Sequence, residues 1–164
     1  MRSSEEKLRI TRRHLPHWSL VGATYFITMR LRVRPLTERE IRILLDHVVS
    51  GGRQWYELVA VVILPDHVHV LLSPRAGYSL SRIMKGLKGA TARRLNQSRG
   101  TKGTVWQEES FDRIVRDQQE LDEKLNYMFM NPVKAGLTSD PISYPGWYFR
   151  GQTGMSVLPT TDED

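Results

Sequence analysis

Residues 23–32 (ATYFITMRLR) are β-branched and aromatic, with Tyr25, Ile27 and Met29 alternating against their neighbours, which predicts a first strand. Thr37 to Ser50 then carries Ile41, Leu44, Leu45 and Val48 on one helical stripe. Thr37 and Glu40 stand in capping-box positions at its start, and Gly51-Gly52 at its end. Glu57 to Ile63 (ELVAVVI) is apolar enough for a buried strand. Leu64-Pro65-Asp66 makes a tight turn, and His67 to Ser73 returns as a third strand with His67, His69 and Leu71 on one face and Val68, Val70 and Leu72 on the other. Ser79 caps a second helix expected to run to about Leu95, with Leu80, Ile83, Leu87 and Thr91 inward and Gly86 and Gly89 weakening it. Asn96 to Gly103 reads as a flexible basic loop, followed by a short strand around Val105 or at Phe111 to Val115. Asp117 opens a third helix with a Leu121, Leu125, Met128 core stripe, expected to stop at about Asn131 because Pro132 follows. The order β-α-β-β-α-β-α predicts an α+β, ferredoxin-like (RRM-like) split β-α-β antiparallel sheet with an added C-terminal helix. A single domain over residues 1–147 is expected, with a loosely ordered tail over 148–164, rich in Gly, Thr and Pro.

The chemistry sits on the third strand and the third helix. Two histidines two apart on a strand point the same way, so the imidazoles of His67 and His69 can converge on one metal ion. A lone His-x-His on an apolar strand is more often a packed or hydrogen-bonded pair. Two imidazoles on an aliphatic strand are nevertheless costly unless something satisfies their nitrogens. Tyr127 falls roughly 130° from the centre of its helix's core stripe and Asn131 about 40° closer to it, so the two share a face outside that core. The bland alternatives are a surface tyrosine, or one docked on the sheet, and an asparagine that merely ends a helix before proline. Taken together the residues offer two metal ligands, a third possible ligand and a nucleophilic hydroxyl.

Charge adds a partner. The 164-residue chain carries a net charge of +6 with a pI near 9.8. No acidic residue lies between Asp66 and Glu108, while Arg75, Arg82, Lys85, Lys88, Arg93, Arg94, Arg99 and Lys102 all do. A solvated face explains one basic helix. An acid-free stretch of this length favours a polyanion, and with a metal and a tyrosine it suggests cutting and rejoining a nucleic-acid strand. On the second helix Arg82, Lys85 and Arg93 lie within about 80° of one another. The absence of cysteine excludes a disulfide framework, a thiolate zinc site and a cysteine nucleophile, and is compatible with the cytoplasm. No apolar run approaches the roughly 20 residues of a membrane span, and the N-terminus lacks the apolar core of a secretory signal.

Five segments resemble the REP-associated tyrosine transposases, bacterial relatives of the single-tyrosine HUH transposases of IS200-like elements. They are RRHLPHW (12–18), GATYFIT (22–28), LPDHVHVLL (64–72), VWQEESFDRIVRD (105–117) and YMFMNPVKAGL (127–137), in the family's order. The resemblance implies that His67, His69 and Asn131 bind a divalent metal and that Tyr127 is the nucleophile. Mn²⁺ suits two imidazoles and an amide oxygen, cellular availability favours Mg²⁺, and zinc is a third option. It further implies cleavage and rejoining of single-stranded DNA at repetitive extragenic palindromic hairpins through a 5′-phosphotyrosine, by a monomer or homodimer associated with the bacterial nucleoid. The base that takes the tyrosine proton is left open among His14, His17 and metal-bound water. Candidate DNA contacts are Lys7, Arg12, Arg13, Arg82, Lys85, Lys88, Arg93, Arg94 and Lys102, with Trp106 and Trp18 as stacking candidates, although Trp18 fits core packing better. The competing readings are a non-catalytic RRM-like module, another HUH endonuclease of the replication-initiator or relaxase type, and a metal hydrolase with no covalent intermediate.

Overall fold

The computed structural model describes residues 23–153. Strands β1 (Thr24–Arg30), β2 (Tyr56–Ile63), β3 (His67–Pro74), β4 (Phe111–Val115) and β5 (Trp147–Phe149) form one sheet in the order β4-β1-β3-β2-β5, every neighbouring pair antiparallel. Its first four strands follow the split β-α-β order expected from the hydrophobic pattern. Helices α1 (Glu38–Gly51) and α2 (Leu80–Arg99) cover one face, where Ile41, Leu44, Val48, Ile83, Leu87 and Leu95 pack on Ile27, Met29, Val61, Val68, Val70 and Leu72. Helix α3 (Gln118–Lys134) covers the other, setting Leu121, Leu125 and Met128 on Phe26, Ala60, Val62 and Leu71. Burying both faces of the central strands explains why β2 and β3 read as continuous apolar runs.

The local signals behave as expected at helix starts. The Thr37 hydroxyl accepts from the Glu40 amide at 3.2 Å, and the Thr37 amide donates to Glu40 Oε1 at 2.9 Å. Ser79 caps α2 and Asp117 caps α3. Helix ends differ. Helix α2 runs on through Arg99, so the first half of the expected flexible loop is its last turn, closed by Gly100 at φ +69, where the Gly100 amide donates to the Asn96 carbonyl. Helix α3 passes Pro132 and ends at Lys134. Proline removes only the bond to the Met128 carbonyl, and so close to the helix end the next turn re-forms, the Ala135 amide donating to the Asn131 carbonyl at 2.9 Å. Asn131 therefore keeps helical geometry.

The expected boundary of the tail also moves. Tyr148 and Phe149, expected in it, belong to β5, which pairs with β2, and a helical turn Arg150–Thr153 (α4) follows. The approach to β5 depends on Gly146. Its carbonyl accepts from the Ile63 amide at 2.8 Å, and a Cβ there would collide with the Ile63 carbonyl. Tyr144 adds a hydroxyl bond to that same carbonyl at 2.8 Å.

Arg99, one of the basic block, is spent inside the fold. Its guanidinium donates twice to Glu40 (2.9 and 2.8 Å) and to the carbonyls of Arg34 and Pro35, joining the end of α2 to the start of α1. The Arg99 hydrogen bonds hold the Glu40 carboxyl down at about 2, against desolvation that raises it. Because this folded-state value lies below the unfolded one, the stabilisation is fully present above about pH 4.5 and fades as pH falls towards 2. Arg99→Ala is expected to cost about 3 kcal/mol in urea unfolding, since it strands a buried carboxylate. It should also flatten the wild-type loss of stability between those pH values. An unchanged acid limb would show that the pair contributes nothing.

Candidate active site

The site is built on the α3 face of the sheet by strand register. His69 lies opposite Thr28 across the β1–β3 ladder, and His67 opposite Arg30. The Thr28 hydroxyl and His69 Nδ1 are 2.8 Å apart, and His67 Nδ1 is 2.7 Å from Asp66 Oδ1. A carboxylate only accepts, so the proton of this contact is on His67 Nδ1, which in a neutral imidazole leaves Nε2 as the lone pair. The same tautomer at His69, with Nδ1–H donating to Thr28, frees its Nε2. The turn that presents His67 is held in place by backbone bonds from Leu31 to the Asp66 carbonyl (2.9 Å) and from Leu36 to the Pro65 carbonyl (2.8 Å).

The two imidazoles lie 4.8 Å apart, centroid to centroid, with planes at 80°. His69 is 4% exposed, and its buried Nε2 has no hydrogen-bond partner among the described residues. Burial first, then the neighbouring His67, Arg30 and Lys124, push its pKa down to about 3, so the ring is neutral near pH 7. A buried, neutral imidazole with an unpartnered nitrogen, beside a second imidazole oriented by a carboxylate, is what a divalent cation requires of its ligands and of the groups behind them. Among the described residues no cluster of three His, Asp, Glu or Cys side chains exists to hold a metal.

Tyr127 comes down from α3 onto the same patch. Its ring centroid is 5.3 Å from that of His69 and 6.2 Å from that of Phe26, yet the residue is 44% exposed. The ring is docked on the sheet against His69 and Phe26 while its outer part stays exposed. Asn131, half-buried, follows one helical turn later on the same side of α3. In front of Tyr127 lies an open groove of about 590 Å³, lined in part by Thr28, Arg30, His69, Lys124 and Phe111. Thr28, Asp66 and Lys124 were not singled out in the sequence. Asp66, directly before His67, was detectable in principle, whereas Thr28 becomes relevant only once the register is known.

The DNA candidates divide. Arg82, Lys85, Arg93, Arg94 and Lys102 are exposed as expected. Lys88 is not a free phosphate contact: its ammonium donates to the Gln107 and Glu108 carbonyls, both at 3.0 Å, bracing the loop whose Gln107 and Glu109 wall the groove. Trp106, expected to stack on bases, is 4% exposed in the core, with its indole N–H donating to the Thr91 hydroxyl at 2.9 Å. That bond also explains why a threonine occupies an inward position of α2. Lys7, Arg12, Arg13, His14, His17 and Trp18 lie outside the described residues. Among the described residues no helix is long and apolar enough to cross a membrane.

Known proteins resemble the chain in sequence and in fold. A curated REP-associated tyrosine transposase of Haemophilus influenzae is 26% identical over 153 residues, spanning 84% of this chain and 86% of its own length. One from Escherichia coli K12 is 24% identical over 142 residues, spanning 84% and 83%. The solved structure of a REP-associated tyrosine transposase bound to a REP hairpin superposes with a TM-score of 0.68 at 22% identity, covering 88% of this chain and 87% of that one, which establishes the shared fold. The family described as "Transposase IS200 like" matches residues 30–128, well over half of the chain and inclusive of His67, His69 and Tyr127. With both histidines and the tyrosine inside that match, the chain belongs to the IS200-like transposase family.

Proposed function

We propose that this transposase cleaves and rejoins single-stranded DNA at the foot of palindromic hairpins of the REP type, using Tyr127 as nucleophile. The observation that carries the reading is the exposed Tyr127 ring set 5.3 Å from a buried His69 whose Nε2 has no hydrogen-bond partner among the described residues. The Tyr127 hydroxyl oxygen attacks the scissile phosphorus, the bond to the 3′ oxygen breaks, and that oxygen leaves as a 3′-OH while the 5′ side stays on the tyrosine. Attack by a second 3′-OH reverses the step with no external energy source. His67, His69 and Asn131 would hold Mg²⁺ or Mn²⁺, which when bound neutralises charge on the phosphate and orients it. Arg30 and Lys124 line the groove and supply further positive charge to the strand. The named groups all come from one chain, so a monomer suffices to form the site. A DNA substrate of this kind places the protein at the nucleoid.

The test is incubation of the protein with Mn²⁺ and a 5′-extended hairpin oligonucleotide. A detergent-resistant protein–DNA adduct is expected, together with a free 3′-OH fragment. Cleavage without adduct would replace this reading by that of a metal hydrolase. Tight binding with neither product would leave the RRM-like module.

Helix α2 packs on the sheet face opposite the catalytic groove, so the exposed Lys85 and Arg93 engage DNA only if the hairpin wraps around the sheet. Charge reversal at both is expected to weaken hairpin binding. It should also lower the slope of log affinity against log salt by about 0.7 for each lost single-strand phosphate contact. An unchanged slope would confine the DNA to the groove side.

A further inference from the structure

Among the described residues Phe111 belongs to neither hydrophobic core. It opens β4 and lines the groove, yet it is 57% exposed. Register places it opposite Thr28, which in turn lies opposite His69. Directly opposed residues share a face, so Phe111, Thr28 and His69 form one cross-strand row on the catalytic side, Phe111 two strand spacings, about 10 Å, from His69. Ile114, also exposed, lies opposite Tyr25 and so faces the other side. Of the other rings at the groove, Phe26 is buried under Lys124, whose ammonium sits 4.9 Å from its centroid, and Tyr127 is committed to the reaction. Among the described residues Arg30 and Lys124 line the groove against one carboxylate, Glu109, so a polyanion is favoured there over an apolar peptide.

We propose that Phe111 is a base-stacking platform. An unpaired nucleobase next to the scissile bond lies on its ring while the phosphate sits at His69 and Tyr127. The proposal rests on the DNA-cleaving reading above and adds a binding subsite to it. Every base has a π-face, so the subsite holds the strand in place without selecting its sequence. It also supplies the stacking surface that the buried Trp106 cannot.

The experiment measures binding of hairpin oligonucleotides carrying an abasic site at each position flanking the cleavage point. With wild-type protein, one abasic position should weaken binding roughly tenfold, while exchanging the base there changes little. Phe111→Leu, which stays apolar, should lose about the same factor on intact DNA and nothing more on that abasic DNA. Phe111→Tyr should restore binding. Additive losses at every position, or an unchanged affinity of Phe111→Leu, would overturn the proposal. So would a Phe111→Leu variant that converts a dimer to a monomer with DNA affinity unaltered, which would make the face an interface between copies. Adduct formation at saturating DNA is followed in parallel. A wild type that forms no adduct defeats the cleavage reading, whereas coupling between Phe111 and the base is decided by binding alone.

Discussion

Tyr127→Phe is expected to form no protein–DNA adduct and to cut no strand, while binding metal and hairpin as wild type does. The substitution keeps the ring, its edge contact with Phe26 and its approach to His69, and removes one oxygen. Among the described residues that oxygen makes no hydrogen bond, and the residue is 44% exposed, so the fold has little to lose. A purely packing role would limit the effect to the value of one hydrogen bond, about 0.5–1.5 kcal/mol. A nucleophile's removal is of a different order, a rate loss of about 10⁴-fold or more. A denaturing gel of end-labelled single-stranded hairpin DNA with Mn²⁺ separates the two. A Tyr127→Phe protein that cuts at the wild-type rate would shift the chemistry to an activated water.

The second large effect is expected at the histidines. His67→Ala and His69→Ala should each abolish cleavage and lower Mn²⁺ affinity, measured by calorimetry without DNA, while hairpin affinity stays close to wild type. The separation follows from where the energy lies: hairpin binding rests on many phosphate contacts, metal binding on two imidazoles with an amide or water. Thr28→Val should act more gently. It removes the oxygen 2.8 Å from His69 Nδ1 and leaves both ligands, so Mn²⁺ affinity should fall about 10–100-fold with the fold intact. Full cleavage in the presence of EDTA would eliminate the metal site altogether.

Much of this arrangement was legible because its causes are local. The Thr37 and Ser79 caps depend on residues within one turn, and the common face of His67 and His69 on the pleat of a single strand. Tyr127 and Asn131 share a side of α3 because of helical pitch alone, and the match to known transposase motifs added the roles. Helix ends were less legible. Neither Asn96–Arg99 nor Asn131–Lys134 has the apolar period that announces a helix, and both are held by what they meet: Glu40 for the first, the carbonyl bonds beyond Pro132 for the second. Strand β5 has three residues, too few for a pattern, and exists because Gly146 lets the chain lie against Ile63.

The sequence by itself determined the order of elements, the pairing of two histidines on one strand face and the placement of a tyrosine outside its helix core. Each is a consequence of repeat distances along a single segment. Only the tertiary structure decided what those groups face. Strand register set Thr28 beside His69, and the docking of α3 brought Tyr127 to within 5.3 Å of His69. It also sorted side chains of identical type: Arg99 and Lys88 are consumed by a carboxylate and by loop carbonyls while Lys85 and Arg93 remain in solvent, and Trp106 is buried while Phe111 is bare. Charge and aromaticity are properties of a residue. Exposure is a property of whatever packs against it, and that partner lies far away along the chain.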